Sequence, residues 1–177
     1  KYDMSLRYKY SSKGSGIEEN SEEEGVSASN KYTGIRYSFS YVPFSRLILD
    51  SRFEFVRTDV DRSEHEKGYM IYQDFEYGLR SIPLKVYLRY AWFHTGGYSS
   101  RIYTYEQQLL ASFNSTPLYD HGQRSYLMLR YDPSQHLSFR MRVAGLWFSN
   151  RSTVGSGYDM TDSGSRHEIR LQVIARF

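Results

Sequence analysis

His167-Glu168-Ile169-Arg170-Leu171-Gln172-Val173-Ile174-Ala175-Arg176-Phe177 closes the chain, and it alternates strictly at its apolar positions. Ile169, Leu171, Val173, Ala175 and Phe177 fall on one side. Glu168, Arg170, Gln172 and Arg176 fall on the other. Side chains point to opposite faces of a strand at every step, so this period of two predicts a β-strand with one apolar face and one charged face.

The same pattern recurs back along the chain. Tyr2, Met4, Leu6, Tyr8 and Tyr10 oppose Asp3, Ser5, Arg7 and Lys9. Ile35, Tyr37, Phe39 and Tyr41 oppose Arg36, Ser38 and Ser40, and Leu47, Leu49, Phe53 and Phe55 oppose Asp50, Arg52 and Glu54. Tyr69, Ile71, Phe75 and Tyr77 face away from Asp74 and Glu76. Leu84, Val86, Leu88, Tyr90 and Trp92 face away from Lys85, Tyr87 and Arg89. Leu127, Leu129 and Tyr131 flank Arg130, while Leu137, Phe139, Met141 and Val143 flank Ser138, Arg140 and Arg142. The segments are about 9–11 residues long, the length of a tilted strand that crosses a bilayer. No run of ~18 apolar residues exists, so a transmembrane helix is excluded.

Composition agrees with a two-faced sheet. The chain has 177 residues, no Cys, 17% aromatic residues and 18 Tyr. Without Cys there is no disulfide framework and no thiolate metal site. A Tyr excess suits a surface that crosses an interface, because the ring is apolar and the hydroxyl stays wet. Mean hydropathy is −0.64. A membrane barrel tolerates that value, since about half of each strand faces a polar lumen. The net charge of +3 is too small to point to nucleic acid, and acids share the faces that carry the bases.

The connections alternate in length. Residues 11–30, 59–66, 94–123 and 150–166 read as long polar loops. Short turns are expected at Pro43-Phe44-Ser45, Ser81-Ile82-Pro83 and Asp132-Pro133-Ser134, with Pro falling between strands. Arg101 to Phe113 also alternates in part. Counting it as a spanning strand would put the short Asp132 turn on the side of the long loops, so it is assigned to local structure within one external loop. The expected fold is an all-β, antiparallel, up-and-down transmembrane β-barrel, with about eight strands in this chain and residues 1–177 as one barrel domain or the C-terminal portion of a larger one. Aromatic residues cluster near segment ends, as at Tyr90 and Trp92 or Trp147 and Phe148, in the manner of interfacial girdles. The chain starts at Lys1 within a strand, as expected if a leader or further strands come before it.

A terminal alternating strand that stops on Phe is a recurring insertion signal of bacterial outer-membrane proteins. Ile169, Leu171, Val173, Ala175 and Phe177 match it. The expected location is the bacterial outer membrane. The expected partners are the bilayer and its lipopolysaccharide, the barrel-assembly machinery during insertion, and outer-membrane complex partners. The opposite faces carry both signs: Arg7, Lys9, Arg36, Arg52, Lys85, Arg89, Arg130, Arg140, Arg142, Arg170 and Arg176 against Asp3, Asp50, Glu54, Asp74, Glu76, Glu106 and Glu168. Eight strands leave an interior just wide enough for side chains. Arg36, Asp50, Arg52, Glu54, Asp74, Glu76, Arg89, Arg130, Arg140, Arg142 and Arg170 are therefore expected to fill a lumen with ion pairs.

Sites for chemistry are sparse. Asp120-His121 is the most suggestive pair, since some outer-membrane proteases keep Asp and His at the extracellular rim; it requires convergence with a second acid. Glu64-His65-Glu66 is a weak metal candidate, and Glu18, Glu19, Glu22, Glu23 and Glu24 form an acidic run that reads as a solvated loop or a divalent-cation bridge to lipopolysaccharide. No phosphate loop, dinucleotide fingerprint or zinc spacing is present, so no cofactor and no metal are expected. The leading expectation is a non-enzymatic anchor, scaffold or transport component. A rim enzyme and a soluble ligand-binding β-barrel are the alternatives.

Lys67-Gly68-Tyr69-Met70-Ile71-Tyr72-Gln73-Asp74, Leu88-Arg89-Tyr90-Ala91-Trp92-Phe93, Arg101-Ile102-Tyr103-Thr104-Tyr105-Glu106 and Tyr126-Leu127-Met128-Leu129-Arg130-Tyr131 occur together, with Gly155-Ser156-Gly157-Tyr158-Asp159 ahead of Glu168-Ile169-Arg170-Leu171-Gln172. Over most of residues 30–177 this resembles the C-terminal barrel region of Bacteroidetes outer-membrane proteins that carry helix-hairpin-helix modules. The resemblance implies a barrel and further strands upstream. It implies no catalytic role, and no DNA binding by this segment.

Overall fold

The computed structural model describes residues 1–14, 29–60, 64–110, 115–153 and 162–177. The acidic run and the Gly155–Asp159 loop lie outside the described residues. Ten strands are found among those described. They are β1 Tyr2–Gly14, β2 Ser29–Phe44, β3 Leu47–Val60, β4 Glu64–Gly78, β5 Leu84–Thr95, β6 Ile102–Tyr105, β7 Ser115–Leu118, β8 His121–Ser134, β9 Leu137–Phe148 and β10 Ser165–Ala175. Eight of them form one antiparallel sheet in the order β1-β2-β3-β4-β5-β8-β9-β10, while β6 and β7 pair only with each other. The fold is all-β and up-and-down, with eight strands in the main sheet. Of Arg101 to Phe113, the described residues 101–110 are outside that sheet.

Closure is where expectation and structure part. β1 and β10 are the two edges of an open sheet, and neither pairs with the other. A closed eight-stranded barrel has an interior just wide enough for side chains or one small ligand. Here a stretch of main chain, the β5–β8 connection with its β6–β7 hairpin, is packed against the polar face. Eight strands cannot wrap around it.

Register explains the two faces. One row crosses the whole sheet through paired positions: Tyr2, Tyr41, Leu49, Phe75, Leu88, Leu127, Val143 and Ile169. Every strand contributes an apolar side chain to it. A slip of one residue either way in β1, β4 or β10 would put a charge into this row, so the alternation itself sets the pairing.

The short turns lie one to three residues later than expected at two places. β2 runs on to Phe44 and turns at Ser45-Arg46; β8 runs to Ser134 and turns at Gln135-His136. Pro43 and Pro133 sit inside these strand ends, where the register shifts between Tyr41 and Phe44 and between Tyr131 and Ser134. A proline has no N–H for the ladder, and a bulge is where a strand tolerates that loss. The expected long loop 59–66 is also mostly strand: only residues 61–63 separate β3 from β4. The C-terminus lies at the end of the sheet with the short turns, since the Arg176 N–H donates to the His136 carbonyl at 2.8 Å.

Candidate functional site

The two faces of the sheet have opposite chemistry and opposite exposure. On the apolar face Leu6 and Leu171 are each 74% exposed and Ile169 68%. On the polar face Arg142 is 1% exposed, Arg89 4% and Glu54 5%. What covers the polar face is the β5–β8 connection.

That connection is seated in two layers. Nearer the long loops, Ile102 of β6 and Leu118 of β7 join Val56, Met70, Phe93, Leu146 and Phe148 in an apolar cluster. Phe93 meets Phe148 edge to face, with ring centroids 6.0 Å apart. Gly68 is what lets the chain approach so closely, because a Cβ there would lie 2.7 Å from the Ser100 carbonyl oxygen. Ser100 is pinned there as its N–H donates to Glu66 Oε2 at 2.8 Å.

The second layer is charged. Glu106 follows β6, and its side chain is fully buried. Arg124 donates to its two oxygens from Nε and Nη2, both at 2.8 Å. Arg142 donates to Glu106 as well, to Glu168 Oε1 at 2.7 Å and to the Gln107 carbonyl at 3.1 Å. Arg89 forks onto both oxygens of Asp74 at 2.5 Å and reaches the Tyr105 carbonyl at 2.7 Å, with its guanidinium 3.9 Å from the centre of the Tyr72 ring. Farther along, the Gln172 amide both accepts from the Leu110 N–H (2.9 Å) and donates to the Leu110 carbonyl (3.0 Å). A guanidinium is a rigid planar donor, so one arginine can hold a carboxylate and a carbonyl at once.

The candidate charges from the sequence fall into three groups. Arg89 with Asp74, and Arg142 and Arg170 with Glu168, belong to or adjoin the clamp on the inward segment. Arg36 donates to both oxygens of Glu54 (2.9 and 3.0 Å), and Arg52 lies 3.5 Å from the same carboxylate. Near the short turns, Arg130 pairs with Asp132 at 2.6 Å and Lys85 with Glu76 at 3.6 Å. Asp50 stands opposite Asp74 in register, and Arg140 stands between Arg130 and Gln172. The Arg140 Nε is buried without a hydrogen-bond partner.

Asp120 and His121 do not converge. Asp120 occupies a tight turn with φ of 61°, a left-handed conformation that Asp accepts more readily than most residues. Its carboxylate takes the Arg151 guanidinium. The His121 ring stacks on His94 at 3.6 Å between centroids. Nor do the neighbours of His65 gather a metal site: His65 Nδ1 meets Asp59 Oδ1 at 2.8 Å, while Glu66 turns to Ser100. Among the described residues no group of three His, Cys, Asp or Glu could hold a metal ion.

Three charged members of the clamp were absent from the sequence-derived site, Glu106, Arg124 and Glu168. Glu106 had a signal, being the one carboxylate between Thr95 and Tyr119. A lone acid in a Tyr-rich stretch has to be paired if it is buried.

A cavity of about 590 Å³ opens beside the clamp, toward the β1 edge. Its walls include Arg7, Lys9, Tyr32, Arg36, Arg101 and Tyr105. Lys9 Nζ lies over the Tyr32 ring at 5.5 Å. Arg101 Nε donates to the Tyr103 hydroxyl at 2.7 Å, a bond that raises the guanidinium's pKa above its ordinary value and keeps the charge fixed.

No family model matches this chain, and neither the curated proteins nor the solved structures contain a match to it.

Proposed function

We propose that this chain is a wall of a bacterial outer-membrane β-barrel that anchors the protein and holds an inward-folded segment in its lumen, as a scaffold or transport component. The observation that carries the proposal is the inversion of polarity. Large aliphatic and aromatic side chains face out, while arginines and carboxylates are buried. Water would favour the reverse arrangement, whereas hydrocarbon on one side and a filled lumen on the other favour this one. Eight strands of 11 to 16 residues have at least the 9–11 residues or so that a tilted crossing needs.

The few polar groups on the apolar face support the same reading. Ser51 and Gln73 face outward together. The Ser51 hydroxyl donates to Gln73 Oε1 at 2.5 Å, and Gln73 Nε2 donates to the carbonyls of Asp50 and Asp74 at 3.3 and 2.9 Å. The pair satisfies itself without solvent, as a polar pair facing lipid must.

On this reading the barrel has more than eight strands. The edges β1 and β10 cannot remain unpaired in hydrocarbon, where each unsatisfied backbone group costs several kcal/mol. The segment on the polar face needs a wider interior than eight strands enclose. Further strands therefore pair along both edges. Lipopolysaccharide and the barrel-assembly machinery are the partners such a wall would meet, and the Bacteroidetes helix-hairpin-helix barrel proteins are the family whose C-terminal region it would represent.

Both tryptophans, Trp92 and Trp147, are on the apolar face. In liposomes containing lipids brominated on their acyl chains, their fluorescence is expected to be strongly quenched. Emission that is insensitive to bromine, together with good solubility without detergent, would refute the membrane reading.

A further inference from the structure

We propose that the cavity beside β1 is a binding site for a phosphate monoester, separate from the clamp that holds the inward segment. The site is assembled from two directions. Arg7 and Lys9 of β1 and Arg36 of β2 line it from the sheet, and Arg101 lines it from the connection before β6. Glu54 is the one carboxylate in that lining. Arg36 already occupies both its oxygens, with Arg52 beside it. The cavity thus keeps a clear excess of positive charge.

Register adds a second, independent observation. Arg7 and Arg36 are direct cross-strand partners. Like charges placed opposite one another in an antiparallel pair destabilise the sheet. Arginines also face each other in register at Arg142–Arg170 and Arg130–Arg140, but Glu168 pairs with both members of the first and Asp132 with Arg130 of the second. At the β1–β2 pair Glu54 holds Arg36, while among the described residues no carboxylate lies within ion-pair distance of Arg7. A dianion set between Arg7 and Arg36 relieves the repulsion, accepting from the Arg7 fork and from the side of the Arg36 guanidinium that Glu54 does not hold, and phosphate oxygens match guanidinium geometry. Lys9 supplies a further point charge.

The tyrosines set the remainder of the ligand. Tyr32, Tyr103 and Tyr105 line the cavity with Ser11 and Thr58. Rings and hydroxyls of this kind suit a sugar or another flat, polar body attached to the phosphate. The volume of about 590 Å³ lies within the usual range for small-molecule sites. The shared chemistry is a phosphate monoester, whose source is either a soluble sugar phosphate or the phosphorylated sugar headgroup of a lipid.

The test is calorimetric titration of the detergent-solubilised full chain with glucose 1-phosphate, glucose, pyrophosphate and lipopolysaccharide micelles. Wild type is compared with Arg7→Gln, Lys9→Gln and Lys85→Gln, the last at the short-turn end of the sheet. Glucose 1-phosphate is expected to bind while glucose does not, with affinity falling about tenfold or more in Arg7→Gln and Lys9→Gln and unchanged in Lys85→Gln. Pyrophosphate is expected to compete. Should only lipopolysaccharide bind, with the same dependence on Arg7 and Lys9, the site stands and its phosphate comes from the lipid. Equal weakening by all three substitutions, or no binding of any phosphate, overturns the proposal. Arg7→Glu serves as a second variant. It turns the cross-strand pair into an attractive one, so the fold is retained while phosphate binding is expected to vanish; retained binding would also overturn the assignment.

Discussion

The polar face of the sheet is divided into two unlike halves. From β4 to β10 it is covered by the β5–β8 connection, and its arginines are matched by Asp74, Glu106 and Glu168. At β1 and β2 it is open, and Arg7 faces Arg36 across the ladder. The sequence alternation is equally regular in both halves. What separates them is a single inserted segment, which brings one carboxylate to two arginines and lays its own carbonyls against two. Burial of charge is tolerable in the clamp because Arg89, Arg124 and Arg142 each have a carboxylate partner. In the second half Arg7 and Lys9 stay exposed, and a ligand can reach them.

The strongest test of this contrast is Glu106→Gln. Among the described residues, it leaves Arg124 without a carboxylate partner and Arg142 with Glu168. Breaking a buried ion pair by removing one partner costs about 3–5 kcal/mol. The expected readout is a lowered guanidinium midpoint and rapid cleavage by trypsin at Arg101. A segment that remains protected would mean the apolar layer alone seats it.

A smaller effect is expected from Gly68→Ala. The new Cβ would press on the Ser100 carbonyl and on Thr95 Cγ2, 2.9 Å away. Overpacking of this kind costs roughly 1–3 kcal/mol. Hydrogen exchange at the Ser100 amide should speed up, because its bond to Glu66 depends on that close approach. Unchanged exchange would locate the anchor of the segment elsewhere.

The smallest effect, and the only one of opposite sign, belongs to the open half. Arg7→Glu replaces a like-charge pair by an attractive one, and the melting temperature should rise by roughly 1–2 °C. The gain should shrink in high salt, since both groups are near solvent. A fall in stability would mean Arg7 already has an anionic partner.

Much of the sheet was legible in the residues because a period of two needs no tertiary information. Each of the eight strands in the main sheet carries enough outward apolar residues to be recognised alone. The exclusion of residues 101–113 followed from keeping all short turns at one end. Arg124 was missed for a related reason. Its strand begins at His121, but the outward positions there are His121, Gln123 and Ser125, so the apolar signal starts only at Leu127. The long loop expected at 59–66 failed likewise, because Arg57, Asp59 and His65 are polar: Asp59 pairs with Arg57 along β3 and with His65 across the β3–β4 ladder. The seating of Glu106 depends on contacts with residues 18 and 36 positions away, which no local pattern encodes. Openness of the sheet was illegible too, since alternation sets the faces of a strand and leaves the number of neighbours undetermined.

The inward segment is held largely by its peptide groups. Arg89 takes the Tyr105 carbonyl, Arg142 the Gln107 carbonyl, and Gln172 both the N–H and the carbonyl of Leu110. Every amino acid but proline offers those same groups. Side chains at 105, 107 and 110 can therefore be exchanged widely while the segment stays docked. A lineage carrying this chain would be free to rewrite what the segment displays, so long as Glu106 and the groups beneath it are kept.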